Sequence, residues 1–140
     1  MKPTMEPFIT KGDAMLLRSL LQRADLEPAR RAGNMDSLLE TLREARVVDN
    51  LPGPRVRIDC RVRYIERATG VLREVVLTLP EDAAPSQRRI SVLSPLGGAL
   101  LTRAPGDRIT VDLPGDRTAE YVIVEVMPSL EAPETEEVGS

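Results

Sequence analysis

The sequence predicts an α+β protein in two parts: an N-terminal antiparallel helical hairpin, then an antiparallel sheet of about four strands carrying one short helix. Three observations predict it. Residues 10–48 repeat apolar side chains at helical spacing, residues 55–126 repeat them at alternate positions, and Asp49-Asn50-Leu51-Pro52-Gly53-Pro54 punctuates the chain between the two regimes. The expected division is 1–52 for the hairpin, 53–127 for the sheet domain and 128–140 for an acidic tail.

Helix one is expected to start at Thr10, an N-cap with Asp13 three residues on, and to carry Met15, Leu16, Leu20 and Ala24 with Leu17 and Leu21 beside them. Asp25-Leu26-Glu27-Pro28-Ala29-Arg30-Arg31-Ala32-Gly33 holds a proline and ends in glycine, so it reads as the connection. Asn34 then caps a second helix, whose stripe Met35, Leu38, Leu39, Leu42 and Ala45 carries it to near Val48. Two such helices joined by a short loop make an antiparallel hairpin.

From Arg55 to Tyr64 the alternation is perfect, with Val56, Ile58, Cys60, Val62 and Tyr64 inward and Arg55, Arg57, Arg61 and Arg63 outward. Ala68-Thr69-Gly70 turns the chain into an antiparallel partner over residues 71–79, and Pro80 to Arg89 is a polar connection. The stretch from Ile90 to Leu101 organises the rest of the sheet domain. Ile90 to Leu93 reads as a buried strand, Ser94 as a helix cap and Pro95 as the first helical residue. Gly97 and Gly98 disfavour helix by about 1 kcal/mol each relative to alanine, so their pairing predicts close packing of this short helix against a neighbour. Pro105-Gly106-Asp107 turns into the strand Arg108 to Leu113, and Pro114-Gly115-Asp116 turns into the last strand, Arg117 to Val126.

Composition narrows the function. A chain of 140 residues builds one core, or a core with an appendage, but not two full domains. There is no apolar run near 18 residues and no charged-then-apolar leader, so the expected address is the cytoplasm, with no membrane partner. The lone Cys60 reads as a small core hydrophobe, and the absence of histidine removes the usual base for a nucleophilic role. The net charge of −3 comes from Glu131, Glu134, Glu136 and Glu137 in the tail. With the body near neutral and aromatics confined to Phe8, Tyr64 and Tyr121, direct nucleic-acid binding is disfavoured. No phosphate cradle, zinc motif or nucleophile with its base is present, so neither metal nor cofactor is expected.

The ordered series Ile90-Ser91, Ser94-Pro95-Leu96-Gly97, Ala99-Leu100-Leu101, Gly106-Asp107 and Pro114-Gly115 resembles the C-terminal domain of the bacterial Gre transcript-cleavage factors. Leu79-Pro80-Glu81-Asp82-Ala83 and the short segment ending Ala45-Arg46-Val47-Val48 resemble the short-armed branch of that family, the regulators of nucleoside diphosphate kinase. Thr102-Arg103-Ala104-Pro105 departs from the family pattern, which carries a glycine and an apolar residue there, leaving the local turn geometry open. The resemblance implies an FKBP-like sheet domain, RNA polymerase as partner, and an arm that enters the secondary channel.

In the Gre factors, acidic residues at the arm tip help hold the catalytic magnesium ion. Here Asp25, Glu27 and Asp36 lie near the tip, but three acids in a polar loop are more often simply solvated, and Arg30 and Arg31 between them offset their field. A helix of about 15 residues spans about 22 Å, so the tip is expected to enter a channel mouth and stop short of a deep active site. By the same resemblance, Ser94, Pro95, Leu96, Gly97, Gly106 and Asp107 are the expected docking residues on the sheet domain. The arginine face of the first strand is either a surface for an acidic partner or a solvated face paired to Glu66 or Glu74. Prolyl isomerisation, suggested by the fold alone, needs an aromatic-lined cavity that three scattered aromatics do not build. Cleavage with a short arm, and dimerisation through exposed leucines of two arms, stay open.

Overall fold

The computed structural model describes residues 7–31 and 35–128. The expected Gly33 break, the Asn34 cap and the acidic tail beyond Pro128 lie outside the described residues.

Strand β1 (Phe8–Thr10) runs straight into α1 (Lys11–Leu21), and Thr10 caps the helix by accepting the Asp13 N–H at 3.2 Å. The buried face is Ala14, Leu17 and Leu20, one residue round from the expected stripe, so Met15 and Leu16 face solvent at 68% and 39% exposure. The expected connection is not a plain loop. A 3₁₀ turn over Ala24–Leu26 leads into α2 (Glu27–Arg31), where Pro28 sits in the first turn and its missing N–H costs no helical bond. Helix α3 (Asp36–Glu44) buries Leu38 and Thr41. It ends before the expected Val48, because Ala45 goes extended and Arg46–Val48 becomes β2, paired in parallel with β1. Among the described residues the N-terminal part is therefore three helices tied by a two-stranded ribbon, where two helices alone were expected.

Among the described residues the main sheet has five strands: β3 (Cys60–Glu66), β4 (Leu72–Thr78), β5 (Arg89–Ser91), β6 (Arg108–Leu113) and β7 (Arg117–Pro128). Their order across the sheet is β5-β4-β3-β7-β6. All neighbours are antiparallel except β4 and β5, so the sheet is mixed, a correction to the all-antiparallel expectation. The parallel step arises because residues 79–88 cross back over the edge before β5 is laid down.

The expected first strand also starts late. Asp59 takes φ 72°, a left-handed conformation that Asp tolerates and that breaks the alternation before Cys60. The segment ahead of it pairs elsewhere: Val56 N–H donates to the Arg103 carbonyl at 2.8 Å and Thr102 N–H to the Val56 carbonyl at 3.0 Å. As a result Arg55 does not face outward. It is buried, with its guanidinium carbon 5.0 Å from the centre of the Phe8 ring and a nitrogen donating to the Thr102 carbonyl at 3.2 Å.

Helix α4 (Pro95–Leu100) joins the two parts. Ser94 caps it by accepting the Gly97 N–H at 3.0 Å. The glycine pair has the meaning expected of it. A Cβ on Gly97 would collide with the Ser91 carbonyl oxygen, and one on Gly98 would lie 2.7 Å from Leu38 N and 2.8 Å from Ser37 Cβ. Thr41 Oγ1 then donates to the Gly98 carbonyl at 2.8 Å, fastening α3 along α4. One core runs through both parts, from Leu17 and Leu38 to Val62, Leu77, Leu100 and Ile123. Among the described residues, no helix is long and apolar enough to cross a membrane.

Candidate functional site

Two of the three acids expected near the arm tip, Asp25 and Glu27, are held by arginines. Arg23 grips Asp25 through two nitrogens at 3.1 and 2.9 Å, and its other terminal nitrogen reaches Glu81 at 2.9 Å. That clamp ties the region after α1 to the 3₁₀ turn Pro80–Asp82. The Arg23 hydrogen bonds hold both carboxyls below their ordinary values. Glu27 receives Arg30 at 2.6 Å and Arg31 at 3.5 Å within α2, the i,i+3 and i,i+4 pairings of a helix face. Asp36 stands apart, exposed in the first turn of α3. Among the described residues, no three His, Cys, Asp or Glu side chains converge as a metal site.

This clamp has no signature in the sequence. Arg23 lies beside Asp25 in the chain, but Glu81 is 58 residues away, and no local pattern announces a pairing of that range.

The second expected set divides by burial. Ser94 is occupied as a cap, and its hydroxyl also donates to the Ser91 carbonyl at 2.7 Å. Gly97 is sealed under Ser91. Asp107 is buried, and its carboxylate accepts the Ala104 N–H at 2.9 Å to close the turn. Gly106 holds φ 94° there, with its N–H on the Ile123 carbonyl at 2.8 Å. Pro95 and Gly106 are exposed and Leu96 half-buried. Of the expected docking residues, Pro95, Leu96 and Gly106 thus reach the surface, while Gly97 and Asp107 are buried and Ser94 is occupied as the cap.

The arginine face resolves largely into ion pairs. Arg61 and Arg63 both reach Glu74 at 3.4 Å, Arg63 also reaches Glu125 at 3.4 Å, and Arg57 reaches Asp13 at 2.8 Å. Exposed pairs of this kind contribute about 0–1 kcal/mol each. Cys60 is half-buried with its thiol pushed up by burial, opposite to the shift of a reactive thiolate. Tyr64 and Tyr121 meet edge to face at 5.1 Å between ring centres, packed together within the fold.

Residues 51–128 match the family model described as "Transcription elongation factor, GreA/GreB, C-term". The chain belongs to the GreA/GreB family. "Transcription elongation factor GreA" of Desulfovibrio desulfuricans is 34% identical over 76 residues, covering 54% of this chain and 47% of that protein. "Regulator of nucleoside diphosphate kinase" of Escherichia coli strain K12 is 30% identical over 78 residues, covering 56% of this chain and 57% of that protein. The solved structure "Prokaryotic transcription elongation factor GreA/GreB from Nitrosomonas europaea" is 32% identical, with a TM-score of 0.64 over 90% of this chain and 99% of that one. The chain spans about half the length of the curated GreA proteins it matches, 46–48% of the first three. The α+β architecture and the GreA/GreB kinship thus stand together.

Proposed function

We propose that this chain is a non-catalytic transcription regulator that binds RNA polymerase near the rim of its secondary channel. There it competes with Gre-type factors without stimulating transcript cleavage. The observation that carries this reading is the neutralised state of the acids between α1 and α3: Asp25 is held by Arg23, and Glu27 by Arg30 and Arg31. A hard cation takes several oxygen ligands, and carboxylates already satisfied by guanidinium must give up those bonds first.

Reach supports the same reading. The 11 residues of α1 and 9 of α3 span about 16 and about 14 Å at 1.5 Å per residue, a short arm by any measure. In this proposal residues 1–52 form the arm. Residues 53–127 form the FKBP-like docking unit, which presents Pro95, Leu96 and Gly106 to the polymerase in the cytoplasm. Kinship with proteins named as transcription elongation factors supports the partner.

The test is binding of the purified chain to core RNA polymerase with a GreA protein as competitor, following transcript shortening in the same stalled complexes. Binding with mutual displacement and no shortening is the expected result. Shortening that disappears in Asp25→Asn or Glu27→Gln would instead make the chain a short-armed cleavage factor. Failure to bind polymerase at any accessible concentration would overturn the proposal.

A further inference from the structure

Strand β4 is covered on its outer edge along only half its length. Its parallel partner β5 meets Val76, Leu77 and Thr78, and the Val76 N–H already takes its acceptor from Arg88. Antiparallel pairing to β3 alternates which residues point their backbone inward. Val76 points away from β3, so Glu74 and Leu72, two and four residues earlier, point the same way. Among the described residues, their N–H and C=O groups meet no further strand. A sheet edge of this kind is a template for an added strand.

The groups beside that edge set the chemistry of the strand it would take. An open groove of about 370 Å³ runs along it, lined by Leu72, Val75, Pro85 and Ile90 as its apolar part and by Arg63, Arg73, Arg88 and Glu74 as its polar part. Three guanidiniums face one carboxylate. Arg63 and Arg73 already have carboxylate partners in Glu74, Glu125 and Glu66, whereas Arg88 is exposed and makes no ion pair among the described residues. Arg88 also holds φ 63°, a left-handed conformation that strains an L-residue and costs glycine nothing. The chain keeps a long cationic side chain where its backbone would favour glycine.

We propose that the open half of β4 is a docking edge for an extended acidic segment of a partner protein. The segment adds as a strand against Leu72 and Glu74, with apolar side chains toward Leu72 and Ile90 and a carboxylate on Arg88. This surface is separate from Pro95, Leu96 and Gly106, and the inference does not rest on the polymerase reading.

The test uses a fluorescent, end-blocked ten-residue peptide of alternating Glu and Val or Thr, titrated into the full chain and followed by anisotropy. Amide hydrogen exchange at Leu72 and Glu74 is read alongside. Saturable binding is expected, with exchange at those two amides slowed at least tenfold and a counterpart carrying Lys for Glu at least tenfold weaker. Arg88→Glu should abolish binding. Arg88→Gly, which suits the backbone and so keeps the fold, should weaken it at least tenfold. No saturable binding, equal binding of the Lys peptide, or indifference to Arg88→Gly would overturn the proposal. Binding that emerges only once residues 129–140 are removed would assign the edge to this chain's own acidic segment and overturn the partner reading.

Discussion

Thr102 is a residue at odds with its backbone. It holds φ 74°, it is β-branched, and its buried hydroxyl has no hydrogen-bond partner among the described residues. The left-handed conformation costs roughly 1–2 kcal/mol, and an unsatisfied buried hydroxyl costs about 1–3 kcal/mol. Against them stand the burial of Cβ and the methyl group and the greater freedom glycine has in the unfolded chain, together about 2–3 kcal/mol. Thr102→Gly should therefore raise stability by about 1 kcal/mol in urea unfolding, and a loss of stability would show that the methyl packing outweighs the strain. The mismatch was legible in advance as a departure in a stretch where the family carries glycine, but the sign of φ was not. The Arg23 clamp gives a second prediction at this scale. Because Asp25 and Glu81 are held below their ordinary 3.8 and 4.5, the clamp's contribution is present at neutral pH and is lost as pH falls through the depressed values. Carboxyl-carbon NMR titration should find both groups low. Arg23→Gln should move both upward together, and movement of Asp25 alone would mean that the Glu81 half of the clamp does not form in solution.

Elements were legible where a local signal and the tertiary contact agreed. Ser94-Pro95 marks the start of α4 by capping chemistry that involves only neighbouring residues, and Gly97-Gly98 announces close packing because a glycine pair is otherwise costly in a helix. Strand β2 was hidden because three residues carry no measurable period, and its pairing partner β1 lies 38 positions earlier in register. The late start of β3 was hidden because Arg55 to Tyr64 alternates perfectly in sequence while Asp59 breaks the backbone. The candidate site was legible in part: the acids of the connection were visible with Arg30 and Arg31 among them, whereas the Arg23 clamp on Asp25 and Glu81 was not. The α3–α4 contact carries the prediction at this scale. Gly98→Ala gains about 1 kcal/mol of helix propensity, but its Cβ would sit 2.7 Å from the Leu38 nitrogen, a backbone atom that cannot swing aside. Overpacking of this kind costs typically 1–3 kcal/mol, and separating the helices also lengthens the buried bond from Thr41 to the Gly98 carbonyl. A net loss of about 1–2 kcal/mol is expected in chemical denaturation, and an unchanged midpoint would mean that α3 does not press on α4.

At the scale of the whole molecule, the arm and the sheet unit share one interior. Leu17 from α1 and Leu38 from α3 are fully buried in the same cluster as Val62, Leu77, Leu100 and Ile123. Further ties cross the boundary: the Thr41 hydroxyl on the Gly98 carbonyl, Arg55 over the Phe8 ring, Arg57 on Asp13, and Arg23 on Glu81. The last two are exposed and contribute little. Buried apolar surface is worth about 25 cal/mol per Å², so the shared interior decides the coupling. Unfolding should then be a single transition. Helical signal by far-UV circular dichroism and the near-UV signal of the Tyr64–Tyr121 pair should share one midpoint. Removing residues 1–50 leaves the unit matched by the family model, yet it strips α3 from Gly98 and uncovers the apolar side chains that Leu17 and Leu38 seal. That fragment should unfold at a lower denaturant midpoint and bind a hydrophobic dye that the full chain does not. If instead it kept the full chain's midpoint, the arm would be an independent appendage, free to move relative to a docked sheet unit. A regulator that works by short reach alone needs the first outcome, because an arm fixed to its docking unit holds its tip at a set distance from the surface that binds.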